Sequence, residues 1–249
     1  MIQPSTSLNP LQYSAPTEFD MSNIAQGIEL VQQRIVAAAK AANRDPIAIT
    51  LLAISKTRPE EDIRTAISAG QRHFGENYLQ DALPKIDSLR DEFPALCWHF
   101  IGAIQSNKTN DIAQHFDWVH TIERLKIARR LSEQRPEGLE PLQICLQVNI
   151  SDEASKSGVT SKDVFQLAEA IRELPRLRLR GLMAIPVATN DNALQRAAFA
   201  KLQALFEQLN QQGFQLDTLS MGMSNDMEAA IAEGSTLVRI GKAIFGART

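Results

Sequence analysis

Cysteine is scarce in this chain: Cys97 and Cys145 are its two thiols among 249 residues. Each lies in an apolar run and no CxxC pair occurs, which excludes a disulfide framework and a paired-thiol metal or redox site. Long apolar runs are missing too. No stretch approaches the ~20 residues that cross a bilayer as a helix. Neither sign of charge is in excess: the net charge is -3 and the pI about 5.9, which removes bulk attraction to nucleic acid or to a membrane surface. No GxGxxG follows the first strand pattern, which argues against a dinucleotide-binding sheet. The four histidines show no HxxH or HxxxH spacing, so no metal site is expected. Residues 22–249 contain no low-complexity tract, repeat or linker.

What is present is ordinary for a soluble globular protein, with 44% hydrophobic and 22% charged residues. Residues 1–20 are rich in Pro, Ser and Thr and lack the basic and apolar regions of a signal peptide. They are expected to form a flexible extension ahead of a single domain over 21–249, in a reducing cytoplasm. Ile24, Ile28, Val31 and Ile35 fall at helical spacing. After Asp45-Pro46 comes the strand pattern IAITLLAIS. Apolar, β-rich runs recur at 73–78, 98–104, 117–122, 143–150, 178–185, 217–224 and 236–241, with helical patterns between them. Pro59-Glu60-Glu61 opens one helix and Gly70 ends it. Thr160 and Asp163 resemble a capping box. The longest helix, roughly 192–212, carries Leu194, Ala198, Leu202, Leu205 and Leu209 and stops at Gly213. About eight β-then-α units predict an α/β fold with a parallel sheet, closed as a (β/α)8 TIM barrel. An open doubly wound sheet is the competitor.

In such a barrel the site forms at the C-terminal ends of the strands. Lys56 ends strand one, where LLAISKTRP passes from apolar run to helix start. Asn77 ends strand two; His99 lies in strand three, with Gln105 and Asn107 after it. Met183, Ser224, Arg239 and Gly241 belong to the last three strand patterns. SMGMSND (220–226) and RIGKAIFG (239–246) supply glycines, a hydroxyl and backbone N–H groups where barrels bind phosphate. A lysine opposite a phosphate site is what a pyridoxal 5′-phosphate protein requires, because the amine forms a Schiff base with the cofactor aldehyde. Each residue also has a plainer reading. Lys56 could snorkel to solvent, His99 could be a satisfied core histidine, Arg239 could pair with a barrel acid, and Ser224 could cap a helix. Position alone leaves the function open.

Six stretches carry a resemblance: LLAISKTRP (51–59), HFGENYLQD (73–81), WHFIGAIQSNK (98–108), GLMAIP (181–186), LSMGMSNDMEAAI (219–231) and VRIGKAIFGAR (238–248). Over about residues 25–247 the chain closely resembles the pyridoxal phosphate homeostasis protein family, also called YggS/PROSC. That family is similar in fold to the N-terminal barrel of alanine racemase, the fold type III of pyridoxal phosphate proteins. The resemblance implies that Lys56 carries pyridoxal 5′-phosphate as a Schiff base. It implies that Ser224, Gly241 and the backbone of Lys242 hold the phosphate. Arg239 would face the pyridine nitrogen, Asn77 would lie near the ring, and Met183 would pack beside the cofactor. Lys242 departs from the pattern, because family members usually carry Thr or Ser there. An ammonium replaces a hydroxyl, and it can reach the same anion as a point charge.

Two functional classes compete: a carrier that buffers or delivers pyridoxal phosphate, and an amino-acid enzyme such as a racemase. A two-base racemase needs an acid/base group on each face of the cofactor, and Lys56 supplies one. In the racemase the opposing tyrosine comes partly from a second, β-rich domain. Here the sequence stops at Thr249 soon after the last strand pattern, and its two tyrosines are Tyr13 in the extension and Tyr78 after strand two. An arginine facing the pyridine nitrogen disfavours its protonation and makes the ring a poor electron sink, although the racemase shares it. A strand-end face without a covering domain suits exchange with water better than protected carbanion chemistry. The expectation is therefore a carrier rather than an enzyme, acting in vitamin B6 homeostasis with indirect effects on amino-acid and keto-acid pools. Apo forms of pyridoxal phosphate enzymes are the candidate recipients. A cytoplasmic monomer without nucleic-acid or membrane partners is expected.

Overall fold

A computed structural model describes residues 24–151 and 156–246, so the expected extension at 1–20 lies outside the described residues. Helix α1 (Ile24–Ala41) comes first and buries Ile24, Ile28, Val31, Ile35 and Ala39, the stripe that its spacing predicts. The strands are β1 (Thr50–Ile54), β2 (His73–Glu76), β3 (Cys97–Phe100), β4 (Trp118–Ile122), β5 (Leu142–Asn149), β6 (Val159–Thr160), β7 (Leu177–Met183), β8 (Thr218–Ser220) and β9 (Leu237–Ile240). All pairings are parallel. Eight strands close a ring in the order β1-β2-β3-β4-β5-β7-β8-β9, with β9 returning to β1. The two-residue β6 stands outside the ring beside Val148 and Asn149 of β5, and the apolar pattern gives no sign of it. The barrel is the expected TIM architecture, not the open sheet.

Between the strands run α2 (Glu60–Ser68), α3 (Leu79–Leu89), α4 (Thr109–His115), α5 (Leu125–Gln134), α6 (Val164–Arg172), α7 (Asn192–Gln211), α8 (Met227–Ala232) and α9 (Lys242–Phe245). Successive strand residues point to opposite faces. The outward set, including Phe74, Trp98, Phe100 and Val119, joins Ile63, Ile86, Ile112 and Leu131 of the helices in one continuous apolar core. Full burial of each such side chain contributes roughly 1.5–3 kcal/mol. Gly181 lets β7 and β8 approach, because a Cβ there would run into the Thr218 carbonyl. No helix among the described residues is long and apolar enough to cross a membrane.

Two local expectations change. Thr160 Oγ1 bonds the Asp163 carboxylate at 2.6 Å, and Asp163 makes no side-chain cap, so the pair fixes the entry to α6 without a capping box. In α7, Leu194 is 59% exposed, whereas Gln195, Phe199, Leu202 and Leu209 are buried. Asp191 caps this helix through the Ala193 and Leu194 N–H groups, and Gln195 reaches back to the Thr189 carbonyl. The first turn therefore stands clear of the core, while Ala198, Leu202, Leu205 and Leu209 keep the expected stripe.

Candidate functional site

Lys56 follows the end of β1 on a tight turn. The Arg58 N–H donates to the Ser55 carbonyl at 3.0 Å, and Thr57 holds φ at 62°, a left-handed conformation that strains a β-branched residue. A buried polar cluster on the outer side of the barrel holds this turn. Lys85 of α3 donates to the Ser55 and Arg58 carbonyls at 3.3 Å each, to Glu76 at 2.8 Å and to Asp81 at 3.0 Å. Ser55 Oγ donates to Glu76 at 2.7 Å, and the Thr57 N–H donates to Asp81 at 2.7 Å. Lys85 therefore grips the chain on both sides of Lys56. Burial pushes the Glu76 carboxyl up, with Lys85 acting against that rise, and Glu76 Oε2 has no partner.

At the C-terminal end of the barrel lies a cavity of about 620 Å³, within the size range of small-molecule sites. Lys56, Asn77, Met183, Ser224, Arg239, Gly241 and Lys242 all line it. Asn77 follows β2 and is seated against Gly102, where any Cβ would collide with the Asn77 carbonyl. Its Oδ1 is buried and, among the described residues, without a partner. Arg239 on β9 donates to the Ser220 carbonyl at 2.5 Å, to Ser220 Oγ at 2.9 Å and to the Ala184 carbonyl at 3.0 Å. That leaves Nε–H and one Nη2 hydrogen of its fork for a ligand. Burial lowers Arg239 to about 10, with Asp226 opposing, and it stays cationic at neutral pH. No acid forms an ion pair with it among the described residues, so the barrel-acid alternative gives way to carbonyl and hydroxyl partners. Gly241 is the N-cap of α9 and Lys242 its exposed first residue. Three basic side chains, Lys56, Arg239 and Lys242, meet one acid, Asp226, around this cavity. Asp226 accepts from the Met223 N–H at 2.6 Å, and burial pushes its carboxyl up.

Other candidates fall elsewhere. His99 is buried inside the barrel and does not line the cavity; Gln105 and Asn107 are exposed and do not line it. Tyr78 precedes α3 and is 58% exposed; Tyr13 lies outside the described residues. Both cysteines are free, Cys145 buried and Cys97 half-buried. The cavity also takes in Thr189 and Asn190 from the loop after β7, which no pattern marks, and Asn225 and Asp226, which follow Ser224. His73, Cys97 and His99 place donor atoms within 4.8 Å of one another across β2 and β3, a grouping that spacing along one segment cannot reveal. The two imidazoles bond each other directly at 3.0 Å.

The family described as alanine racemase, N-terminal domain, matches residues 23–249. A pyridoxal phosphate homeostasis protein of Pseudomonas aeruginosa is 62% identical over 228 residues, covering 92% of this chain and 97% of the relative. Another of that name, from Vibrio cholerae, is 55% identical over 230 residues, covering 92% and 98%. Among solved structures, PipY of Synechococcus elongatus with pyridoxal phosphate bound is 35% identical, covers 90% of this chain and 100% of its own, and superposes with a TM-score of 0.78. With its closed parallel barrel and a basic cavity at the strand ends, the chain belongs to the pyridoxal phosphate homeostasis protein family, built on the alanine racemase N-terminal fold.

Proposed function

We propose that this protein binds pyridoxal 5′-phosphate at the C-terminal mouth of its barrel and holds it for vitamin B6 homeostasis. One observation carries the reading: seven residues from stretches far apart in sequence line one cavity, with a net basic lining. The orphaned Asn77 Oδ1 and the unused Arg239 N–H groups fit a polar ring, and the net basic lining fits an anionic ligand. When bound, the cofactor supplies an aldehyde that condenses with an amine. Lys56 is the amine, held at the strand end by the Lys85 grip on its turn. Ser224, Gly241 and the backbone of Lys242 bind the phosphate. Arg239 donates toward the pyridine nitrogen, Asn77 flanks the ring, and Met183 packs beside it.

Carriage in preference to turnover is supported by the relatives' names as homeostasis proteins. The cavity lining, among the described residues, offers Lys56 and Asp226 for proton transfer and neither tyrosine nor histidine. On this reading the protein is a cytoplasmic monomer that buffers the cofactor or passes it to apo-enzymes, and amino-acid and keto-acid pools respond indirectly. Borohydride reduction followed by peptide mass analysis tests the anchor: the pyridoxyl group should sit on Lys56. Labelling at another lysine, or none, rejects it. Incubation with L-alanine should yield neither D-alanine nor a keto acid, while an apo-enzyme acceptor regains activity. Turnover that disappears in Lys56→Ala would establish an enzyme instead.

A further inference from the structure

The barrel interior is not the apolar filling usual in this architecture. Leu52, Cys145, Met183 and Leu237 are buried apart from the main apolar core, and among them lie His99, His120, Ser220 and Arg239, none more than 5% exposed. These polar groups form one continuous line. His73 Nδ1 meets His99 Nε2 at 3.0 Å, His99 Nδ1 meets His120 Nε2 at 2.9 Å, and His120 Nδ1 meets Ser220 Oγ at 2.8 Å. Arg239 Nη1 then donates to the same hydroxyl at 2.9 Å. His73 and His99 line a separate cavity of about 240 Å³ at the N-terminal mouth, and Arg239 lines the cofactor cavity at the other end. The line therefore runs through the barrel from one mouth to the other.

Its direction follows from donors and acceptors. Arg239 can only donate, so Ser220 Oγ accepts from it. Among the described residues the acceptor in reach of the Ser220 hydroxyl proton is His120 Nδ1. His120 must then carry its proton on Nε2 and donate to His99 Nδ1. His99 in turn donates from Nε2 to His73 Nδ1, which leaves the His73 Nε2 proton at the mouth. This arrangement satisfies every buried nitrogen with neutral rings, and burial favours the neutral form of all three. The reverse direction strands the Ser220 proton without an acceptor in a buried site.

We propose that His73, His99, His120 and Ser220 form a one-directional hydrogen-bond relay that positions Arg239 and couples it to the N-terminal mouth. A hydroxyl that donates is a stronger acceptor, so His120 tightens the grip of Ser220 on the guanidinium. A second proton on His73 makes both its nitrogens donors, which forces each tautomer to flip and drives His120 Nδ1–H against Ser220. The ionisable groups near His73 are Cys97 and His99 on β3, Asp117 before β4, Arg180 on β7 and Asp217 before β8. Asp117 favours the charged ring, while Arg180 and Asp217 pair with each other at 2.5 Å. Ser220 and His120 are positioning residues.

For its effect on the cofactor, this inference rests on the proposed binding site; the relay itself can be read in ligand-free protein. Nitrogen-15 NMR of the full chain at pH 7 should show all three histidines neutral with the proton on Nε2, and a proton on Nδ1 of His120 would overturn the relay. Addition of pyridoxal 5′-phosphate supplies the second readout. Ser220→Ala should weaken affinity about tenfold, the loss of a charge-assisted hydrogen bond, and shift the absorption maximum of the bound cofactor. Ser220→Thr, which keeps the hydroxyl, should restore both. His73→Leu, far from the cofactor, should move the His120 nitrogen signals toward a mixed tautomer. Unchanged signals in His73→Leu, or unchanged affinity and spectrum in Ser220→Ala, count against it. If wild-type protein binds no pyridoxal phosphate, the proposed function falls, and the tautomers alone decide the relay.

Discussion

The two mouths of this barrel are built from similar residues and treat them oppositely. At the N-terminal mouth polar groups are consumed by one another. Arg180 chelates Asp217 through Nε and Nη2 and lies 5.0 Å over the Trp118 ring, and Trp118 stacks on His99 at 5.5 Å. At the C-terminal mouth Asn77 Oδ1 has no partner among the described residues, Arg239 keeps N–H groups in reserve, and Thr57 sits in a strained turn. Satisfied groups lend rigidity; unsatisfied ones await a ligand. Polar content alone does not mark a site; at the C-terminal mouth unpaired groups coincide with a cavity.

The comparison can be broken most severely at Lys56. Lys56→Ala should abolish covalent loading and the yellow colour outright, checked by absorbance and borohydride labelling, while the fold persists in circular dichroism. Next comes the clamp. Lys85→Ala leaves Glu76, fully buried, without its cation, and should cost roughly 3–5 kcal/mol in urea unfolding, together with weaker loading of Lys56.

Acid sharpens the contrast from inside the barrel. His99 and His120 have folded pKa values below the ordinary 6.5, His120 at about 3, through burial. Their neutral rings stabilise the fold fully above pH 6.5, and that stability is lost as pH falls and the unfolded chain takes up protons. Each histidine contributes a slope of about 1.4 kcal/mol per pH unit. The raised Glu76 carboxyl acts with opposite sign, since its folded form keeps a proton that the unfolded chain has released. The difference in slope between wild type and His120→Asn isolates the histidine. Smaller again is Arg180→Ala at the N-terminal mouth: its partner Asp217 is half exposed, so about 1 kcal/mol or less should be lost in urea unfolding. Lys242→Thr is the mildest. Its exposed ammonium should alter pyridoxal phosphate affinity by a few-fold, and an unchanged affinity would show that it does not reach the phosphate.

Much of this was legible before any coordinates. The eight apolar runs became the eight staves because a strand buried against helices must be apolar on its outward face. Lys56, Asn77 and Arg239 could be placed at strand ends from position in those runs, and they meet at one cavity. Ser220 and His120 could not be found this way. They are 100 residues apart and touch because β4 and β8, with β5 and β7 between them in the ring, both turn these side chains into the barrel interior, a relation set by the curvature of the sheet rather than by any local pattern. The same holds for Lys85, which reads as an exposed helical lysine until α3 is docked over the end of β1. Leu194 misled for a related reason, since it shares the stripe of Leu202 and Leu209 but sits in the first turn, clear of the core.

The seam of the barrel has a temporal consequence. β9 lies directly against β1, with Arg239 beside Leu52 and Ile240 beside Ala53. The stave that leads into Lys56 is among the earliest to leave a ribosome, and the stave bearing Arg239 is the last among the described residues. A nascent chain halted before residue 237 carries Lys56 but lacks Arg239, Gly241 and Lys242, so the cavity lining is complete only after synthesis has passed the final strand.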